Sequence, residues 1–175
     1  MNTNPIDKVF YIHGFASSSK SPKVQALKDF CATLKVEAIG LDYDSTLPRN
    51  QIMEKLSADI NKLGGLHNLL IGTSLGAYFA VCLAAERKDE CIIMNPCLAP
   101  SESLQKYNLP DEVIQSYQGF DNPTILACSV FLETGDELFD YRIAEKHFAN
   151  NGVTVIEGGS HRFENLDLVL QKVKS

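Results

Sequence analysis

Two patterns alternate along the whole chain, and that alternation restricts the fold more than any other feature. Short apolar runs at residues 8–13 (KVFYIH), 36–41, 68–72 (NLLIG), 90–95 (ECIIMN), within 124–134, and at 153–157 are too short for helices and are bounded by turn residues. They read as strands. Between them, apolar residues recur at helical spacing: Val24, Leu27, Phe30, Cys31 and Leu34, then Ile52, Leu56, Ile60 and Leu63. Ser21-Pro22 reads as a helix start with serine as N-cap, and Gly64-Gly65 as a helix stop. Residues 75–86 (LGAYFAVCLAAE) are apolar almost all round, which predicts a buried helix. Further helices are expected at 139–148 and 163–173. Strand-helix alternation with near-continuous apolar strands implies βαβ units, a parallel sheet and helices on both faces. In such sheets the site lies beyond the carboxyl ends of the strands, so the residues after each strand matter most.

A different segment interrupts the alternation. Residues 96–123 hold four of the seven prolines, Pro96, Pro100, Pro110 and Pro123, and no strand pattern. Short helices are expected near 103–107 and 111–117, within a flap rather than a large cap. At 175 residues the chain is read as one domain, 1–175.

Charge and cysteines exclude several function classes. Sixteen Lys and Arg against twenty-two Asp and Glu leave −6, with no basic cluster, so attraction to nucleic acid or an anionic membrane is not expected. Residues 1–7 contain no apolar run, and no window approaches the roughly 18 apolar residues of a membrane span. Five cysteines, Cys31, Cys82, Cys91, Cys97 and Cys128, form no CxxC and cannot all pair. Reduced, mostly buried thiols in a cytoplasm are expected, with Cys97 in a loop and open to solvent. No metal or cofactor site is expected.

Chemistry is concentrated after the strands. Gly72-Thr73-Ser74-Leu75-Gly76 is a G-x-S-x-G between a strand and a helix. In that setting the serine hydroxyl is presented on a sharp turn, and the N-terminus of the following helix faces a developing oxyanion. The plain alternative is a glycine-rich βα turn in which Ser74 is only a cap. After the first strand comes His13-Gly14-Phe15, whose glycine lets the chain fold over the serine. The N–H groups of Phe15 and Leu75 are the expected oxyanion hole. Thr134-Gly135-Asp136-Glu137 follows the fifth strand and Gly158-Gly159-Ser160-His161 the sixth. Ser74, Asp136 and His161 thus follow strands expected to be neighbours at one edge of the sheet. A serine needs a base to take its proton, and the base needs an acid to fix its tautomer. Taken singly, Asp136 reads as a turn residue and His161 as a loop histidine. Competing histidines are His67, at the wrong end of a strand, His147, within a helix, and His13, in the oxyanion segment. Glu137 and Asp140 compete for the acid, with Asp140 expected inside or capping the next helix. Phe15, His13, Tyr43, Leu98, Tyr107 and Tyr117 are candidate pocket residues, with His13, Leu98 and Tyr107 the substrate contacts. Tyr78 and Phe79 read as core, and Arg162 as a solvated surface residue.

Five blocks carry a resemblance: YIHGFASSS (11–19), IGTSLGAYFA (71–80), MNP (94–96), ETGDELFDYR (133–142) and VIEGGSHRF (155–163). With them the chain resembles the α/β-hydrolase superfamily and, more narrowly, the YqiA-like compact bacterial esterases. The last two blocks are far more specific than G-x-S-x-G. The resemblance implies Ser74 as nucleophile, Asp136 as acid and His161 as base, in the chain order of α/β-hydrolases. It implies a three-layer fold and hydrolysis of small carboxylic esters or thioesters without a cofactor. The sheet is expected to be mostly parallel, with about six strands, no large cap and without the two strands that open a typical hydrolase sheet. An acyl-CoA or acyl-carrier thioesterase with the same three residues is the alternative within enzymes. A non-catalytic binding protein on a hydrolase scaffold is the alternative outside them. A flap of under thirty residues leaves a shallow acyl pocket. On a p-nitrophenyl ester series, kcat/KM is therefore expected to fall from butyrate to palmitate, and a steep rise would overturn this.

Overall fold

The computed structural model describes residues 5–173, so residues 1–4 of the leader reading and the last two residues of the 1–175 domain lie outside it. Six strands form one sheet: β1 (Lys8–Ile12), β2 (Glu37–Leu41), β3 (Asn68–Thr73), β4 (Glu90–Met94), β5 (Ser129–Glu133) and β6 (Gly152–Ile156). Their order is β2-β1-β3-β4-β5-β6, and every pairing is parallel. The helices are α1 (Pro22–Thr33), α2 (Arg49–Leu63), α3 (Leu75–Arg87), α4 (Pro100–Ser103), α5 (Asp111–Gln115), α6 (Tyr141–His147) and α7 (Leu166–Val173), with a 3₁₀ turn at Gln105–Tyr107.

Two-residue periodicity sorts the strands' side chains onto two faces. Val9, Tyr11, Leu69, Ile71, Ile92 and Met94 face one core, shared with Val24, Leu27 and Cys31 of α1 and Val169, Leu170 and Val173 of α7. Phe10, Ile12, Leu70, Ile93, Val130 and Leu132 face the other, shared with α2, α3 and α6. Three layers result. The edge strands β2 and β6 are only partly buried, whereas β1, β3 and β4 are covered on both faces. Ten consecutive residues of α3, Leu75 to Ala84, are buried, which explains its all-round apolar sequence.

Several local expectations are revised. Ser21 is the residue before α1, but its side chain makes no capping bond; Pro22 in the first turn starts the helix. Asp140 is the side chain that does cap, accepting the Arg142 N–H at the start of α6. The helix expected from 139 therefore starts at Tyr141, leaving Phe139 in the loop. The last helix starts at Leu166 rather than 163, because Phe163 has a positive φ of 62°. No helix among the described residues is long and apolar enough to cross a membrane.

The chain runs from β1 through α1 to β2 on one side, then returns to place β3 on the other side of β1. The strand order therefore reverses between β1 and β3, and the loops after these two strands face a common crevice. Leu56 of α2 is fully buried, so Leu56→Ala is expected to cost about 2–5 kcal/mol in urea unfolding. Leu66 is 89% exposed, and Leu66→Ala should stay within about 0.5 kcal/mol of wild type.

Candidate active site

Between the last residue of β3 and the first of α3 there is a single residue, Ser74, at φ 53° and ψ −122°. A non-glycine residue in this region costs on the order of 1–3 kcal/mol and persists only where its surroundings enforce it. The enforcement is visible. The Ser74 N–H donates to Met94 O (3.1 Å), and its carbonyl accepts from the N–H groups of Ala77, Tyr78 and Cys97 (3.1, 3.3 and 3.1 Å). Gly76 lets α3 pass directly over β1: a Cβ there would lie 2.1 Å from Ile12 O and 2.4 Å from His13 O. Both obstacles are backbone atoms that cannot yield.

His161 reaches the turn from the β6–α7 loop. Its Nε2 is 2.8 Å from Ser74 Oγ, and its Nδ1 is 3.0 Å from each carboxylate oxygen of Asp136. A carboxylate only accepts, so the proton belongs on Nδ1, leaving the Nε2 lone pair for the serine O–H. Asp136 Oδ1 also accepts the N–H groups of Leu138 (2.8 Å) and Phe139 (3.0 Å). The Phe139 ring packs edge-on against the imidazole at 4.9 Å between centroids. The Asp136 side chain is 3% exposed. Burial pushes its carboxyl up, but the bonds from His161, Phe139 and Leu138 outweigh burial and hold it below the usual carboxylate value.

The structure thus brings Ser74, His161 and Asp136 into one hydrogen-bonded chain. Their strands, expected from sequence to be neighbours, are not all so: β4 lies between β3 and β5. The loop carrying His161 bridges that gap, because strand order is set by long-range pairing that local patterns do not encode.

The oxyanion candidates flank Ser74. Leu75 is the first residue of α3, and leading helix N–H groups have no intrahelical acceptor. Gly14, next to Phe15, lies so close that a Cβ on it would be 3.3 Å from Ser74 Cβ. The Phe15 ring stacks on Tyr107 at 4.3 Å, tying the loop after β1 to the segment between β4 and β5.

The other candidates are placed as follows. His13 is buried, 2% exposed, with its ring stacked on Tyr43 at 4.4 Å and its Nδ1 2.8 Å from Gly14 O. Burial lowers its pKa. Tyr43 and Tyr117 are also buried, the former donating its O–H to His13 O. These three pack beneath the site. Cys97 is not open to solvent: it is 2% exposed, because its N–H is drawn onto Ser74 O, and burial pushes its thiol up to about 12. Leu98 lines a cleft of about 380 Å³ on the acid side, together with Asn95, Asp136, Leu138, Phe139 and Ile143. Ser74, His161 and Tyr107 are not part of its wall; Phe139 stands in that wall and packs against the imidazole. Arg162 is exposed. His147 contacts Pro123 O at 2.8 Å. Among the described residues no group of three or more His, Cys, Asp or Glu could hold a metal ion.

Two polar residues, Glu133 and Asn95, were not foreseen from sequence, and a third takes a different part from the one considered for it. Glu137, considered as the acid, instead accepts the backbone N–H of His161 (2.9 Å). Glu133 is fully buried at the end of β5 and accepts bonds from the loop that carries His161. Asn95 accepts the Glu133 N–H and donates to Ser160 O, both at 2.9 Å. A charged residue closing the apolar run SVFLE was the available signal for Glu133. Nothing local distinguishes Asn95.

Three parallel layers and a serine at the strand-order reversal are the α/β-hydrolase fold, and solved structures agree. Est1E from Butyrivibrio proteoclasticus superposes with a TM-score of 0.79 at 17% identity, covering 99% of this chain and 87% of that one. Another structure of Est1E has ferulic acid bound. Mouse alpha/beta hydrolase domain-containing protein 10 gives a TM-score of 0.76 at 18% identity, covering 95% and 88%. The chain belongs to the uncharacterised protein family UPF0227, whose profile it matches over residues 8–175. A UPF0227 protein of Shewanella baltica strain OS185 is 24% identical over 179 residues, covering 95% of this chain and 97% of that protein.

The depressed pKa of Asp136 has a defined consequence for stability. A carboxyl with a lower pKa folded than unfolded stabilises the fold above the unfolded value, about 3.9. That contribution is lost as pH falls through the folded value. In urea unfolding between pH 6 and 2.5, Asp136→Asn should be less stable than wild type at pH 6, and the difference should narrow below about pH 4. A constant difference across the range would contradict the assignment.

Proposed function

We propose that the protein is a serine hydrolase of small carboxylic esters, acting through an acyl-enzyme on Ser74. One observation carries this reading: the unbroken chain Ser74 Oγ, His161 Nε2, His161 Nδ1, Asp136 carboxylate, with separations of 2.8 and 3.0 Å. A base within hydrogen-bond reach of a hydroxyl, itself oriented by a buried acid, is the arrangement that activates a serine.

In this reading His161 takes the Ser74 proton as Oγ attacks the acyl carbonyl. Asp136 holds the imidazole and stabilises the imidazolium. The tetrahedral oxyanion sits between the N–H groups of Leu75 and Phe15, each worth about 3–4 kcal/mol in such sites. His161 then gives its proton to the leaving oxygen, and the acyl group remains on Ser74. Water, deprotonated by the same imidazole, attacks the acyl-enzyme and regenerates the serine. The cleft beside Asp136 and Phe139, with Leu98 in its wall, is the proposed seat for one arm of the ester. The segment 96–123, tied to Phe15 through Tyr107, is proposed as the flap over the other. The ferulic acid held by Est1E, an aromatic carboxylic acid, supports an acyl group of that modest size. A thioester would use the same steps, with sulfur leaving in place of oxygen.

Intact mass after treatment with a fluorophosphonate tests this. Wild type should gain one adduct, Ser74→Ala none, and His161→Ala should label slower by several orders of magnitude. Absence of an adduct on folded wild type would overturn the hydrolase reading in favour of a binding protein. Esters and thioesters of one acyl chain, compared side by side, would then assign the leaving atom.

A further inference from the structure

Glu133 is a carboxylate with no exposure at the end of a central strand. The half-buried Lys23 attracts it through space, but its direct partners are hydrogen-bond donors. A buried charge of this kind persists only when hydrogen-bond donors surround it. Every such donor comes from one short stretch. Oε2 accepts the Ser160 N–H (2.8 Å); Oε1 accepts the N–H groups of Glu164 (2.8 Å) and Asn165 (2.9 Å) and the Asn165 side-chain amide (2.7 Å). These residues bracket His161, one position before it and three and four after. The loop closes tightly around the carboxylate: Gly159 has φ 71°, and a Cβ there would lie 2.1 Å from Glu133 Oε2. Asn95, the residue after β4, braces the same point through Ser160 O and the Glu133 N–H.

We propose that Glu133 is a positioning residue for His161, its carboxylate being the post around which the base-bearing loop is wound. The inference rests on the hydrolase reading above. Asp136 and Glu137 then complete a three-carboxylate clamp from the loop after β5. Asp136 fixes the ring at Nδ1, Glu137 fixes the His161 N–H, and Glu133 fixes the backbone on both sides. The E-x-x-D-E spacing of residues 133–137 has a physical meaning on this account. One segment sets both where the imidazole is and how it is turned, so its distance from Ser74 is decided by β5 rather than by the β6–α7 connection alone.

Glu133→Gln is the discriminating variant. Its amide oxygen can replace the crowded Oε1, but its NH2 then faces the Ser160 N–H, donor against donor. The bond next to His161 is lost while three others remain. The rate of fluorophosphonate labelling of Ser74, which needs no natural substrate, should fall roughly 10–100-fold, as expected for a small misplacement of a catalytic group. On a butyrate ester kcat should fall while KM stays within about twofold, because Glu133 is not in the wall of the cleft proposed to seat the ester. The downfield proton NMR resonance of the His161 Nδ1–H should broaden or disappear. A merely structural role would lower thermal stability and leave the labelling rate and this resonance unchanged below the melting transition, and that result would overturn the proposal. If Glu133→Gln does not fold, Asn165→Ala, which deletes one of the four bonds, decides by the same readouts. A several-fold slower labelling supports the role, and wild-type labelling overturns it. Wild type that takes no label at all would sink the hydrolase reading instead, so the two failures are distinguishable.

Discussion

A single left-turned residue between β3 and α3 organises the molecule. Ser74 can occupy φ 53° only because three N–H groups converge on its carbonyl and Met94 O receives its own N–H. These bonds commit its neighbours. Cys97 is pulled inward, which starts the segment after β4 beneath the site. Gly76 is pressed onto the backbone of Ile12 and His13, which brings the loop after β1 against the serine. The strain is local, but its support comes from β1, β4 and the first turn of α3 together. The turn is therefore stable only within the assembled sheet.

The parallel sheet supplies the second constraint. All six strands end on the same side, so loops distant in sequence meet there without any strand bending. β3 brings Ser74, β5 brings Asp136, Glu133 and Glu137, and the chain after β6 brings His161. The separation of β3 from β5 by one intervening strand is spanned by the imidazole, and Asn95, directly after that intervening strand, ties the arrangement together. Charge follows geometry. Three carboxylates within five residues would repel one another if they faced one point, but each accepts from a different donor set: Glu133 and Glu137 from the backbone of the loop carrying His161, Asp136 from that imidazole and from the N–H groups of Leu138 and Phe139. That division spreads the charge of a partly buried acidic cluster over separate sets of donors.

Much of this was legible in the residues. Strand-helix alternation set the layers, because strand and helix periodicities are local and the two faces of each strand alternate in register with the apolar pattern. G-x-S-x-G placed between a strand and a helix located the turn, and the residues after the fifth and sixth strands supplied its partners in the order observed. Other features were hidden. Cys97 looked exposed because its burial depends on a bond to Ser74 O, 23 positions away in the chain. His13 looked like a substrate contact because it sits beside the serine turn, yet its ring is taken up by Tyr43, which follows the neighbouring strand β2 some thirty positions on in the chain. Phe139 looked helical because its apolar neighbours fit that period, while the actual helix begins at the Asp140 cap.

Glu133 marks the boundary between the two kinds of information. Its position at the end of an apolar strand is a matter of local pattern, as are the glycines of Gly158-Gly159, which only a tight loop requires. That the carboxylate and that loop meet, and that His161 hangs between the bonds they make, depends on β5 and β6 pairing side by side in one register. Residue types and spacings determine which elements form and which side chains carry chemistry, since both are governed by neighbours within a few positions. Which strands lie together, and so which polar groups satisfy one another, is decided only when the sheet assembles, because that choice is made by burial and hydrogen bonding between segments far apart in the chain.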